Sequence, residues 1–76
     1  MSVGANIKAR REESGMTQAE LAKVVCISRV VIAQYENGYK LPSLAALVRI
    51  ADALGTTPAA ILEAGTASGA AKEARS

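Results

Sequence analysis

Apolar residues recur every three to four positions along the chain, and the stretches they form are separated by short polar breaks carrying Ser, Thr, Gly or Pro. That period predicts a series of short helices. The first, over 7–13, is mostly charged and runs into Ser14-Gly15, where Gly15 suits the left-handed residue that closes a helix. Thr17-Gln18-Ala19-Glu20 reads as a capping box, in which the Thr17 hydroxyl takes a free backbone N–H and the Glu20 carboxylate returns to the Thr17 N–H. The helix beginning there turns Leu21, Ala22, Val24 and Val25 inward and Gln18, Glu20 and Lys23 outward. It ends by Cys26, because Ser28 already offers the next N-cap.

From Ser28 a third helix runs through Asn37 to Gly38. At about 100° per residue, Val31, Ile32 and Tyr35 share one side while Arg29, Val30, Ala33, Gln34 and Asn37 share the other, so one face is core and the other faces water. Tyr39-Lys40-Leu41-Pro42 is a loop, and Ser43 caps a fourth helix in which Leu44, Leu47, Val48, Ile50, Ala51 and Leu54 repeat at helical spacing up to Gly55. Thr57-Pro58 places an N-cap before a proline at the first helical position, opening a fifth helix over 59–64 that carries Ile61 and Leu62. Beyond Gly65 no apolar side chain is larger than Ala, which divides the chain into a domain over 1–64 and a flexible low-complexity tail over 65–76.

Composition narrows what such a unit does. At 76 residues there is room for one domain, and 50% hydrophobic against 21% charged residues is enough for a packed core and too apolar for a disordered chain. The apolar half is Ala, Val, Ile and Leu with no Phe and no Trp, which suits closely packed helices: an all-α, five-helix bundle. With no His there is no imidazole base for a Ser or Cys nucleophile, and a single cysteine cannot make a disulfide within one chain or hold a structural zinc. The expected protein is not an enzyme, needs no metal and no cofactor, and is not held by disulfides. No apolar run approaches the roughly 18 residues of a membrane span, and residues 1–6 lack the basic and apolar stretches of a secretory signal, so no membrane partner and a cytoplasmic location are expected. A net charge of +2 permits an anionic partner without demanding one.

The short connection between the second and third helices matches a helix-turn-helix. In addition, Met16-Thr17-Gln18-Ala19-Glu20-Leu21-Ala22, Ile27-Ser28-Arg29, Tyr35-Glu36-Asn37-Gly38, Pro42-Ser43-Leu44 and Ile50-Ala51-Asp52-Ala53-Leu54-Gly55 together resemble the Cro/repressor helix-turn-helix family of lambdoid phage repressors and xenobiotic-response-element regulators. The resemblance covers roughly 7–64 without a gap. It implies a lambda-repressor-like DNA-binding domain whose third helix lies in the major groove, in a protein that acts as a homodimer on a two-fold symmetric operator.

On that reading the outward side of the third helix reads bases. Arg29 can fork onto guanine O6 and N7, Gln34 can pair with adenine N6 and N7, Val30 can touch a thymine methyl, and Ala33 lets the helix approach closely. Gln18, at the start of the second helix, is expected at a phosphate, with Asn37, Tyr39 and Lys40 on the adjacent backbone. Tyr35 is read as core rather than as a base-stacking ring. The resemblance also pairs Arg11 with Glu36, a structural ion pair holding the third helix against the first. Dimerisation is expected through Ile61 and Leu62. Cys26 departs from the family, which commonly has Gly in that turn, where a positive φ is convenient; as a small, partly buried thiol with no adjoining Lys, Arg or His it reads as inert rather than as a redox switch.

These features fit a sequence-specific, double-stranded DNA-binding transcriptional repressor. Regulation of such a repressor falls to its concentration, to a protein antagonist or to cooperative filling of adjacent operators. The rival readings are an antitoxin with a toxin partner or a restriction-modification controller of the same fold, and a protein-interaction module that has lost DNA contact. The basic and amide residues on the outward face favour DNA.

Overall fold

Every helix starts on a hydroxyl. In the computed structural model, which describes residues 2–66 and their side chains as far as residue 62, five helices follow in order: α1 (Val3–Glu13), α2 (Gln18–Val25), α3 (Arg29–Glu36), α4 (Leu44–Ala53) and α5 (Pro58–Thr66). Ser2, Thr17, Ser28, Ser43 and Thr57 each accept a hydrogen bond from the backbone N–H three residues on, at 3.0–3.2 Å. The capping box is complete, with Glu20 Oε1 accepting from the Thr17 N–H at 2.8 Å. The all-α five-helix architecture is as the sequence implies.

α1 packs on α3 and α5, α2 on α3 and α4, and α4 on α5. Between them lie Ile7, Leu21, Ile32, Ile50 and Ile61, all fully buried, with Ala22, Val25, Tyr35, Ala46, Leu47 and Ala51 around them. Removing each of the five larger side chains from water contributes about 1.5–3 kcal/mol. Tyr35 belongs to this core.

Several positions differ from the sequence expectation. Val24, Leu44 and Val48 were expected inside, yet they are 60%, 72% and 40% exposed. The buried arc of α2 is carried by Leu21, Ala22 and Val25, and that of α4 by Ala46, Leu47, Ile50 and Ala51. The three exposed residues fall just past the edges of those arcs. Ile61, expected at a subunit contact, is 0% exposed and belongs to the core, so only Leu62 of that pair lies at the surface. α5 runs on through Gly65 to Thr66, past the expected boundary at 64, and 67–76 of the expected tail lie outside the described residues.

α1 begins four residues earlier than its periodicity suggests, at Val3 rather than Ile7. The added turn has a packing role. Gly4 is buried against the C-terminal end of α3, where an added Cβ would overlap the Tyr35 carbonyl oxygen and lie 2.8 Å from that of Glu36. Only glycine allows α1 to cross α3 at backbone contact. One turn further on, the buried Asn6 donates from Nδ2 to the Ile61 carbonyl oxygen at 3.0 Å, joining α1 to α5 across 55 residues of sequence.

Arg11 and Glu36 make the ion pair that the family resemblance implies. Arg11 Nε donates to Glu36 Oε2 at 2.7 Å and Nη2 donates to Oε1 at 3.1 Å, while Nη1 donates to the Met16 carbonyl oxygen at 2.7 Å. Both side chains are buried. Hydrogen bonding to Glu36 raises the Arg11 pKa above its ordinary value, against the opposing effect of burial. A cation whose pKa is raised on folding adds stability that is complete below the unfolded pKa, so this contribution is constant over the whole working pH range.

The chain turns from α2 to α3 at Cys26, the one non-glycine residue with positive φ (φ 60°, ψ 40°) among those described. The left-handed conformation is the one expected there, but the side chain is exposed rather than partly buried.

Two stability measurements test these assignments. Cys26→Gly removes the cost of a Cβ in the left-handed region and should raise the unfolding free energy in urea by about 1 kcal/mol. Arg11→Met strands a buried carboxylate and should lower it by about 3–5 kcal/mol, whereas Arg11→Met with Glu36→Leu should regain much of that loss. If the single variant melts within a degree or two of the wild type, the pair is not buried in solution.

Candidate nucleic-acid interface

α3 is sided by its own sequence. Ile32, Tyr35 and Glu36 are buried and Val31 packs against the core, which leaves Arg29, Val30, Ala33 and Gln34 facing outward. Arg29 and Val30 are exposed, the latter by 59%, while Ala33 and Gln34 are partly covered. The only carboxylate of α3, Glu36, is turned inward and bonded to Arg11, so the outward row carries a guanidinium, an amide and aliphatic groups with no negative charge. A helix of this width with such a row has the shape and the donors to enter a major groove and discriminate base edges.

The turn after α3 adds to this row. Gly38, at φ 82°, bends the chain back so that the N–H groups of Tyr39 and Lys40 both donate to the Gln34 carbonyl oxygen, at 2.9 and 3.3 Å. Tyr39, 83% exposed, and Lys40 are therefore anchored at the end of the outward row, with exposed Asn37 between. A flexible ammonium in that position suits a phosphate oxygen.

The start of α2 lies beside the other end of the site. Gln18 is half-buried and donates from Nε2 to Glu36 Oε1 at 3.0 Å, so the amide is held by α3 rather than swinging free. The capping box engages the N–H groups of Thr17 and Glu20, leaving those of Gln18 and Ala19 without a bond among the described residues. An anion would meet these two N–H groups and the positive end of the helix dipole, moderated by the Glu20 carboxylate nearby.

The structure thus brings Gln18, Arg29, Val30, Ala33, Gln34, Asn37, Tyr39 and Lys40 onto α3 and its two flanks, and it places Ile61 elsewhere, in the core. Two features escaped the sequence reading. The bond between Gln18 and Glu36 joins residues whose helix assignments carried no sign of contact. Leu44, 72% exposed, read as core from its periodicity, and it joins Leu41 of the expected loop, 80% exposed, at the surface. Among the described residues no group of His, Cys, Asp and Glu is arranged to hold a metal, and no helix is long and apolar enough to cross a membrane.

Known proteins resemble this chain in sequence and in fold. The sequence profile of the helix-turn-helix family matches residues 7–61. The immunity repressor protein of Bacillus phage phi105 is 42% identical over 62 residues, covering 82% of this chain and 43% of the phage protein. The chain spans about half the length of the phi105 proteins it matches. Among solved structures, the P22 c2 repressor in complex with a synthetic operator superposes with a TM-score of 0.79 at 33% identity, covering 83% of this chain and 96% of that one. A restriction-modification controller protein from Aeromonas hydrophila superposes with a TM-score of 0.76 at 25% identity, covering 79% and 91%. With the profile spanning 7–61, from within α1 into α5, and with the P22 repressor chain matched over nearly its whole length, the chain belongs to the helix-turn-helix family, in the branch of the Cro and lambda-type repressors.

Proposed function

We propose that the chain is a sequence-specific double-stranded DNA-binding transcriptional regulator, acting as a repressor that occupies a two-fold symmetric operator as a homodimer. The observation that carries this reading is the outward row of α3, where Arg29, Val30, Ala33 and Gln34 stand with no carboxylate among them and Lys40 anchored at the end. The similarity to a phage immunity repressor and to an operator-bound repressor supports the same function. A repressor needs no catalytic group. It covers a promoter and excludes polymerase, so affinity and placement are sufficient.

One reading helix spans only a few base pairs, too few to discriminate against a genome of competing sites, and a second protomer supplies the other half-site. Leu62, on α5 and 43% exposed, remains the candidate contact between protomers once Ile61 is assigned to the core. The likeness to a restriction-modification controller favours one second reading, a controller that activates as well as represses from the same operator.

Selection of sites from a random duplex pool tests the proposal directly, since it returns operator sequence, symmetry and spacing together. A pool that yields no enriched sequence overturns it. On the selected site, Arg29→Ala and Gln34→Ala should each cost about 1–3 kcal/mol and relax the preference at one base pair per half-site. Equal losses on random DNA would remove them from base reading. Lys40→Ala should weaken all duplexes alike and flatten the dependence of log K on log salt by about one unit per protomer.

Half-sites should lie about 10–10.5 base pairs apart, so inserting about five base pairs between them should abolish tight binding by turning one site to the far side of the duplex. Leu62→Asp should reduce self-association in sedimentation while leaving the thermal melt intact. Ile61→Asp, by contrast, should unfold the domain.

A further inference from the structure

Glu36 is the meeting point of three segments. Its Oε2 accepts from Arg11 Nε at 2.7 Å, and its Oε1 accepts from both Arg11 Nη2 at 3.1 Å and Gln18 Nε2 at 3.0 Å. Arg11 in turn holds the Met16 carbonyl oxygen, one residue before the cap of α2, at 2.7 Å. The guanidinium therefore fixes both the backbone leading into α2 and the carboxylate that grips the first side chain of α2.

A primary amide has two ends of opposite polarity, and only its N–H end can donate to a phosphate oxygen, so a glutamine turned the wrong way sets its carbonyl oxygen against the anion. The bond to Glu36 settles which end lies on the α3 side. One N–H of Gln18 is engaged, and the second remains for another acceptor. A carboxylate this close to a bound phosphate would repel it, since the two charges would lie within a few ångströms of each other. Two hydrogen bonds from Arg11 cancel that charge where it sits.

We infer that the Arg11–Glu36 pair positions the DNA backbone contact as well as the helices: Glu36 orients the Gln18 amide toward a phosphate oxygen, and Arg11 neutralises the carboxylate that would otherwise repel it. This rests on the phosphate-binding role proposed for Gln18. Arg11 and Glu36 act through Gln18 and are positioning residues. A purely structural pair would instead be replaceable by well-packed apolar side chains with no effect on DNA affinity.

The test compares four proteins on one mixed-sequence duplex by fluorescence anisotropy: the wild type, Gln18→Ala, Arg11→Met with Glu36→Leu, and the three changes together. Measurements are made at a temperature where thermal melts show all four folded. Gln18→Ala is expected to weaken binding about tenfold per protomer, the size of one hydrogen bond to a charged group. The apolar pair should lose nearly as much, and the triple variant should bind no more weakly than the worse of the two. If Gln18→Ala costs the same in both backgrounds, or if the apolar pair binds as the wild type does, the positioning role is overturned while DNA binding stands. If the wild type itself does not bind the duplex at low salt, the DNA-binding reading falls and the inference falls with it.

Should the apolar pair fail to fold, nuclear magnetic resonance of the wild-type side-chain amides decides. The chain has only one other glutamine, Gln34, as an internal reference. The Gln18 amide protons should exchange with water more slowly than those of Gln34 in the free protein, and they should shift on adding the duplex. Exchange as fast as that of Gln34, with no shift on DNA, overturns the inference.

Discussion

The paired charges of Arg11 and Glu36 are the constraint on which the arrangement depends. Taking both out of water is costly, and their mutual attraction offsets that cost only when the geometry is good and the remaining polar atoms find partners. Here both carboxylate oxygens and all three guanidinium nitrogens are engaged, with Gln18 and the Met16 carbonyl completing the set. The pair joins residues 25 apart in sequence and fixes α3 against α1 at the same point where α2 begins. It also determines what α3 shows to its surroundings: with its one carboxylate consumed inside, the helix presents a face compatible with a polyanion.

The starts of α2 to α5 were legible in the sequence because their causes are local, whereas that of α1, capped by Ser2, was not. A hydroxyl three residues before a backbone N–H, and a glutamate placed to return the bond, specify α2 without reference to the rest of the molecule. The outward row of α3 was legible for a similar reason, since periodicity alone separates Ile32 and Tyr35 from Arg29 and Gln34. Arg11 and Glu36 were a different matter. Nothing in their spacing pairs them, and only the likeness to a known family did so.

What stayed hidden depends on neighbours rather than on the segment itself. Gly4 looks like a helix breaker until the end of α3 is seen to press against it. Asn6 looks like an ordinary polar residue in a charged helix, yet it is buried and holds the Ile61 carbonyl. Ile61 and Leu62 are chemically alike and adjacent, so composition assigned them one role, whereas the direction of α5 places one in the core and the other at the surface. Val24, Leu44 and Val48 show the same limit: an apolar residue at roughly the right phase is inside only if a neighbouring helix covers that phase.

The short, individually capped helices have a consequence for how the domain is populated. None of α1 to α5 exceeds 11 residues, and isolated helices of that length do not persist in water. Their caps specify where each would begin, but only docking against the shared core makes any of them worth forming. α1 and α5 close the bundle through a bond between residues 55 apart, so neither end of the described fold can be released without opening the core. The chain is therefore expected to be either folded with its outward face assembled or unfolded without any lasting helix. The fraction of molecules competent to recognise a partner then equals the fraction folded, and any condition that loosens the core acts on recognition to the same degree.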